Sequence, residues 1–272
     1  LFRGQRIAVV VPAFNEAEKI ARTLRSIPGF VDHVLVVDDA SVDGTGRRAL
    51  RTQRRGLELI SHAHNRGVGA AIASGYQRAV SLNADVTAVM AGDSQMDPAD
   101  LGALVSAVVE GGADYAKGNR FLWPSGWRQM PLSRLGGNVA LSFLTRLASG
   151  YGQVFDSQCG YTAASRRALD TILAVEMFPR YGYPNDLLIR LGRESLRVVD
   201  VPVRPVYGPD WRSGIRIARV VGPLLRLLTV AMADRFLRAL SRSPQKSWAP
   251  PPALEMQGES APTELVAPLP RS

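Results

Sequence analysis

Cysteine is almost absent from this chain of 272 residues, with Cys159 its single example. One thiol excludes an internal disulfide framework, and no cysteine–histidine spacing of the zinc type occurs. Both absences fit a reducing compartment. Histidine is scarce too, limited to His33, His62 and His64. Long apolar runs are missing near the basic C-terminal region, where the longest uncharged stretch goes only from Leu227 to Ala233. A bilayer-spanning helix needs about 20 apolar residues, so this region is not expected to cross. A strand begins within a few residues of Leu1, so the expectation is that no signal peptide precedes the fold. Acids are outnumbered: 33 Lys and Arg against 24 Asp and Glu leave a net charge of +9. Acidic partners follow from that balance: phosphates, nucleic acid or an anionic membrane.

What is present is an alternation of short apolar runs with helical stripes. Ile7 to Val11 is all apolar and is closed by Pro12, the pattern of a strand buried on both faces of a parallel sheet. A helical stripe from Glu16 carries Ile20, Leu24 and Ile27 and stops at Pro28-Gly29. Val34 to Val37 is the second strand, followed by a turn and a helix through about Arg54. Leu57 to Ile60 and Val86 to Met90 are the third and fourth strands, separated by a helix over 67–80, and a helix over 98–109 follows. Strands spaced by helices imply right-handed crossovers and a mostly parallel α/β sheet. Beyond Gly111 the pattern loosens into a strand and loop over 113–121, helices over 134–148, 165–175 and 185–193, and a last strand over 196–203.

Three regions result. Residues 1–210 are expected to form one α/β domain. Residues 211–242 are basic and apolar together, with Arg212, Arg216, Arg219 and Arg226 near one helical face and Arg235, Arg238 and Arg242 repeating the pattern beyond Pro223. That segment is expected to lie in a membrane interface with its arginines toward lipid phosphates. The alternative is a pair of helices packed on the domain with a solvated arginine face. Residues 243–272 are rich in proline, serine and alanine and read as a disordered tail. Nucleic-acid binding is not expected, because the arginines concentrate in one amphipathic segment without a reading module.

Parallel α/β sheets bind ligands at the carboxyl ends of their strands. Polar residues stand there in this chain: Pro12-Ala13-Phe14-Asn15-Glu16, then Asp38-Asp39 and Asp43, then His64 to Gly69, then Asp93-Ser94-Gln95-Met96-Asp97. Asp43 and Asp97 also suit helix caps. Gly67-Val68-Gly69 does not continue into a dinucleotide fingerprint, since Ile72 holds the third glycine position. Acids after two neighbouring strands repel unless a cation or donor groups compensate. A nucleotide diphosphate held through Mg²⁺ or Mn²⁺ would do so, since those ions prefer hard oxygen ligands.

The segments VVVPAFNEAEKI, VVDDASVDGT, HAHNRGVGAAIASGYQRA, AGDSQMDPADL, AKGNRF, SRLGGN, DSQCGYTAASRRAL and YGYPNDLLIRL occur in this order. Together they resemble the family 2 glycosyltransferases of GT-A fold, most closely the dolichol- or polyprenol-phosphate sugar synthases. The resemblance covers about residues 6–208. It implies that Pro12, Ala13, Asn15 and Glu16 line a nucleotide-sugar pocket, and that Asp39 meets the base or ribose with Asp38 in support. It implies Asp93 and Gln95 at the metal and diphosphate, and Arg120, Arg134 and Asn138 at an acceptor phosphate. Asp186 falls where the family has an acid near the sugar; a helix cap is the alternative. Two departures stand out. The first acid of the metal motif is replaced by Ala91, and Gln158 to Thr162 alters a segment linked to acceptor or sugar identity.

The expected reaction is transfer of a hexose, with inversion, from a GDP-mannose- or UDP-glucose-type donor to a polyprenyl or dolichyl phosphate. The expected location is the cytoplasmic face of a membrane, peripherally bound. The acceptor phosphate is already ionised, so no strong general base is required; a hydroxyl acceptor would need one, with Asp186 the candidate. The alternatives are transfer to a soluble acceptor and, from Ala91, a catalytically weak nucleotide-sugar binder.

Overall fold

The computed structural model describes residues 1–124, 126, 132–206 and 217–241, with backbone only at 132–134, 217–220 and 241. A seven-stranded sheet has the order β3-β2-β1-β4-β6-β5-β7. Its strands are β1 (Ile7–Ala13), β2 (His33–Asp38), β3 (Leu57–Ser61), β4 (Val86–Val89), β5 (Tyr115–Asn119), β6 (Thr162–Ser165) and β7 (Val198–Pro202). β1, β2, β3 and β4 pair in parallel, as do β5 and β7, while β6 runs antiparallel between β4 and β5. The carboxyl ends of β1, β2, β3, β4, β5 and β7 therefore share one edge of the sheet, and the chain enters β6 at that same edge.

Helices α1 (Ile20–Ser26), α2 (Thr45–Leu50), α3 (Val68–Ser81), α4 (Leu101–Val109), α5 (Leu132–Ser149), α6 (Arg166–Leu173), α7 (Tyr183–Arg193) and α8 (Ile217–Ser241) surround the sheet. Two apolar layers result. Ile7, Val9 and Val11 of β1 face α1 and α4 through Ile20, Leu24, Leu101 and Leu104. Ala8 and Val10 face α3, α6 and α7 through Ile72, Tyr76, Leu169 and Leu187. This alternation along β1 is what a strand buried on both faces demands. Gly75 lets α3 settle on the sheet: a Cβ there would lie 2.3 Å from Val10 Cγ1.

The strands expected from the sequence are present, with one addition. The short, small-residue β6 had no periodic signal. Several helices are shorter than expected, α1 and α2 among them. α1 begins at Ile20, not Glu16, because the amides of Glu16 and Ala17 bond across to Thr45 and Asp43. α2 ends at Leu50, with Gln53 in the left-handed region at φ 48.

The described C-terminal region is one helix running through Pro223, where the sequence suggested two pieces. Leu224, Leu227, Leu228 and Ala231 pack with Ala148, Phe178 and Ile189, so α8 lies against α5 and α7. Arg235 Nη1 donates to the Leu147 carbonyl at 2.7 Å, and Arg238 Nε pairs with Asp234 at 2.9 Å. Part of the expected lipid-facing arginine set is thus spent on holding α8 in place. Arg212, Arg216, Arg242 and the tail over 243–272 lie outside the described residues, as does the Arg219 side chain. Among the described residues no helix is long and apolar enough to cross a membrane.

Candidate active site

The loops leaving β1, β2 and β4 are stitched to one another. The Asp39 amide donates to Ala13 O at 2.9 Å, and the Gly92 amide to Pro12 O at 3.1 Å. Asn15, at φ 54, gives its amide to Ser41 Oγ at 2.9 Å and takes the Val42 amide on Oδ1 at 3.0 Å. The Glu16 amide donates to Thr45 Oγ1 at 2.8 Å. From α1, Thr23 Oγ1 donates to Gly92 O at 3.1 Å and meets Ser94 Oγ at 2.8 Å. Since β1 lies between β2 and β4, the loops carrying Asp39 and Asp93 leave strands that are two spacings apart, on the order of 10 Å. That separation suits the two ends of a nucleoside diphosphate.

The carboxylates on this rim differ in what they do. Asp39 is buried, and its carboxylate receives His62 Nδ1 at 2.7 Å and the amides of Arg66 and Gly67 at 2.9 and 2.7 Å. His62 Nε2 in turn meets Ser74 Oγ at 2.9 Å. Asp39 thereby fixes the loop into α3. Asp38 accepts the Ser41 amide at 2.9 Å and supports its own turn. Asp43, one residue before the Gly44 N-cap of α2, takes the Thr45 hydroxyl and the amides of Ala17 and Thr45, the last two at 2.9 and 3.0 Å. Burial alone would raise the Asp43 carboxyl, but these donors bring it below its ordinary value. Asp97 likewise accepts the Ala99 amide at 3.0 Å at the start of the helical turn before α4.

Asp93 is half-buried and accepts the Gln95 amide on Oδ1 at 3.0 Å. Burial pushes the nearby Glu16 carboxyl above its ordinary value; Lys19 counters this, and the charges of Asp93 and Asp43 add to the rise. Glu16 and Asp93 thus feel each other, which is the chemistry of a place that favours a cation. Among the described residues no three His, Cys, Asp or Glu side chains are grouped to hold a metal ion. The donor set fits a cation shared with a bound diphosphate, and does not fit a cage built from protein alone.

The first turn of α3 packs against the loop over 178–180. The Ala70 amide donates to Pro179 O at 3.1 Å. At Gly69 a Cβ would lie 2.1 Å from Phe178 O, so the glycines serve close packing of the 178–180 loop.

The second half of the edge is built on paired charges. Arg120, one residue past β5, grips Asp156 through its amide at 3.0 Å, Nε at 2.8 Å and Nη2 at 2.7 Å. Asn138 of α5 donates to the same carboxylate at 3.0 Å. Burial would raise the Asp156 carboxyl, but the hydrogen bonds and charge of Arg120, helped by Lys117, hold it below its ordinary range. Lys117, 1% exposed within β5, donates to Phe155 O at 2.5 Å and Asp156 O at 3.1 Å and pairs with Asp200 Oδ1 at 3.1 Å. Asp200 Oδ2 receives Asn119 Nδ2 at 2.6 Å. Arg204, after β7, closes this side by pairing with Asp97 at 2.6 Å and lying 4.9 Å over the Trp123 ring.

Asp186 lies inside the fold. It is the fourth residue of α7, has no exposed surface, and accepts the Phe178 amide at 2.9 Å and Arg190 Nη2 at 2.8 Å. The N-cap of α7 is Gly182, so Asp186 is not the cap, and in this structure its carboxylate is held in a buried ion pair. Arg134 belongs to α5, and its side chain lies outside the description. Sequence reasoning missed Lys117, Asp156 and Asp200. For Lys117 and Asp200 the signal was a charge inside a strand that is otherwise apolar or small, where burial demands a partner, while Asp156 lies in a loop and carried no such signal.

Residues 8–173 match the family model described as glycosyl transferase family 2. A UDP-N-acetylglucosamine–dolichyl-phosphate N-acetylglucosaminyltransferase of Methanococcus voltae is 29% identical over 216 residues, covering 74% of this chain and 86% of that protein. A polyprenol monophosphomannose synthase of Mycolicibacterium smegmatis is 31% identical over 215 residues, covering 73% and 77%. Among solved structures, the glucosyl-3-phosphoglycerate synthase of Mycobacterium tuberculosis, in complex with Mn²⁺, UDP-glucose and phosphoglyceric acid, superimposes with a TM-score of 0.60. It is 26% identical, over 86% of this chain and 80% of that one.

Proposed function

The chain belongs to glycosyl transferase family 2 and is a glycosyltransferase of GT-A-type α/β fold, and on that premise we propose that it moves a hexose from a nucleotide diphosphate sugar to a polyprenyl phosphate. The observation that carries the acceptor assignment is the meeting of Arg120 and Asn138 on Asp156, at the end of the sheet where the β4 loop also emerges. An arginine fork suits a phosphate monoester, and relatives 29% and 31% identical to this chain are named for dolichyl-phosphate and polyprenol-phosphate chemistry.

In this reading the loops after β1 and β2 hold the nucleoside. Pro12, Ala13, Asn15 and Glu16 shape the pocket wall, Asp38 supports its turn, and Asp39 works mainly by fixing the amides of Arg66 and Gly67. Asp93 and Gln95 face the diphosphate. Mg²⁺ or Mn²⁺ at Asp93 and Gln95 would supply Lewis-acid neutralisation of the leaving diphosphate. Arg120, Asn138 and Arg134 orient the acceptor phosphate. One of its oxygens forms the new bond to the anomeric carbon from the face opposite the nucleotide. The bond from that carbon to the diphosphate oxygen breaks, the configuration inverts, and the nucleoside diphosphate leaves. No proton must be removed, so the burial of Asp186 costs the reaction nothing.

A membrane surface is the proposed setting, reached through the segment 211–242 and, in addition, α5. Val139, Phe143 and Leu147 form an exposed apolar stripe on α5, and Leu225, Phe236 and Leu240 are exposed on α8. Apolar stripes with neighbouring arginines suit an anionic interface. The test is incubation of the full chain with UDP- and GDP-hexoses, Mn²⁺ and undecaprenyl phosphate, followed by mass spectrometry. The expected product is the lipid phosphate plus one hexose. Transfer only to soluble acceptors such as phosphoglyceric acid would overturn the lipid assignment.

A further inference from the structure

Both described side chains assigned to the acceptor phosphate point at one carboxylate. Asp156 has no exposed surface, yet receives Arg120 N, Nε and Nη2 and Asn138 Nδ2 at 2.7 to 3.0 Å. Its backbone is held at φ 53, a left-handed conformation that costs a non-glycine residue energy and persists where the surroundings enforce it. The enforcement is visible. Lys117 Nζ clasps the carbonyls of Phe155 and Asp156, and the Phe155 amide donates to Asp200 of β7 at 2.8 Å. The Ser157 amide donates to Ser142 Oγ of α5 at 3.0 Å. The antiparallel entry into β6 brings this segment to the edge where β5 delivers Arg120.

We propose that Asp156 is the positioning residue of the acceptor site, locking the Arg120 guanidinium and the Asn138 amide in the arrangement that receives the phosphate. This rests on the polyprenyl-phosphate reading above. Two of the five guanidinium N–H donors go to Asp156. The planar fork is thereby fixed in orientation before the acceptor arrives, and the cost of ordering a long side chain is met during folding, not during binding. The carboxylate also balances Arg120 and Lys117, so the site holds cations near the phosphate without the repulsion of an uncompensated pair.

The test uses the full chain and the isosteric variant Asp156→Asn, with undecaprenyl phosphate as acceptor probe and two readouts. In steady-state kinetics, loss of the charge-assisted fork is expected to raise the acceptor KM about tenfold while the donor KM stays nearly unchanged. In ¹⁵N NMR, the Arg120 Nε–H resonance, identified by its absence in Arg120→Lys, is expected to be slow-exchanging in the native chain and lost in Asp156→Asn. A residue that only stabilised the fold would lower the melting temperature and shift both KM values together. Should Asp156→Asn not fold, Asp156→Glu, which keeps the charge but displaces it by one methylene, is expected to raise the acceptor KM by a smaller factor with the donor KM unchanged. Unchanged acceptor KM in the folded variant together with an unchanged Nε–H signal overturns the proposal. If the native chain transfers nothing to the lipid, the acceptor reading fails and the NMR comparison alone decides whether Asp156 positions Arg120.

Discussion

Replacing Asp186 by asparagine separates two roles for a residue that sequence comparison places near chemistry. Its carboxylate accepts from the Phe178 amide and from Arg190, with both side chains of the ion pair nearly or wholly out of solvent. Removing one charge of a buried pair costs about 3–5 kcal/mol, because the remaining charge is stranded. Arg190 also donates to the carbonyls of Ile172, Val175 and Glu176 at 2.9, 2.7 and 2.5 Å, which soften that penalty. The lower end, about 3 kcal/mol, is therefore the expected loss. For a domain of this size each kcal/mol lowers the melting temperature by about 2–4 °C, so Asp186→Asn should melt roughly 6–12 °C below the native chain. Turnover at saturating substrates, measured well below both midpoints, should fall only a few-fold. A general base, by contrast, contributes about 10²–10⁴ in rate. A loss of that size with an unchanged melting temperature would refute the structural role and restore Asp186 to the reaction.

Three further outcomes follow from the site. Glu16→Gln should raise the melting temperature at neutral pH, because the folded state raises the Glu16 carboxyl above its ordinary value and so disfavours its ionised form. Above that raised value both states are ionised and the penalty is full; below the ordinary value of 4.5 both are protonated and it vanishes. Melts from pH 7 down to pH 4 should therefore show the gain shrinking with acidity, and a gain that grows would contradict the direction. Gly69→Ala forces a Cβ within 2.1 Å of the Phe178 carbonyl and should cost about 1–3 kcal/mol in denaturant titration; no loss would mean that the 178–180 loop yields. Asp93→Ala should abolish the Mn²⁺-dependent part of the melting-temperature rise produced by UDP or GDP, and retention of that part would move the cation elsewhere.

β1 and β2 were legible because two-face burial leaves uninterrupted apolar runs closed by polar loops, and β3 and β4 because shorter apolar segments alternate with helical stripes. The loops themselves were legible as a site, since a parallel sheet puts its strand ends on one edge. β6 was not, because Thr162 to Ser165 is short and rich in small residues, and only its neighbours make it a strand. Nor was the division of labour among the acids. Asp39, Asp43 and Asp186 look alike in sequence, and what separates them is which amides and cations happen to face each. Glu16 and Ala17 show the same limit at a helix boundary: their amides bond sideways to Thr45 and Asp43, a tertiary choice that no local stripe reveals. Lys117, by contrast, was open to detection, since an amine in the middle of a buried strand must have partners.

The account as a whole holds that the loops after β1, β2 and β4 receive one nucleoside diphosphate. Hydrogen exchange of the full chain with and without UDP or GDP plus Mn²⁺ tests this directly. Protection is expected together in the segments 13–17, 38–45 and 91–96, and to be lost together in Asp93→Ala. Protection confined to one of these segments, or found only at the opposite end of the sheet, would contradict it.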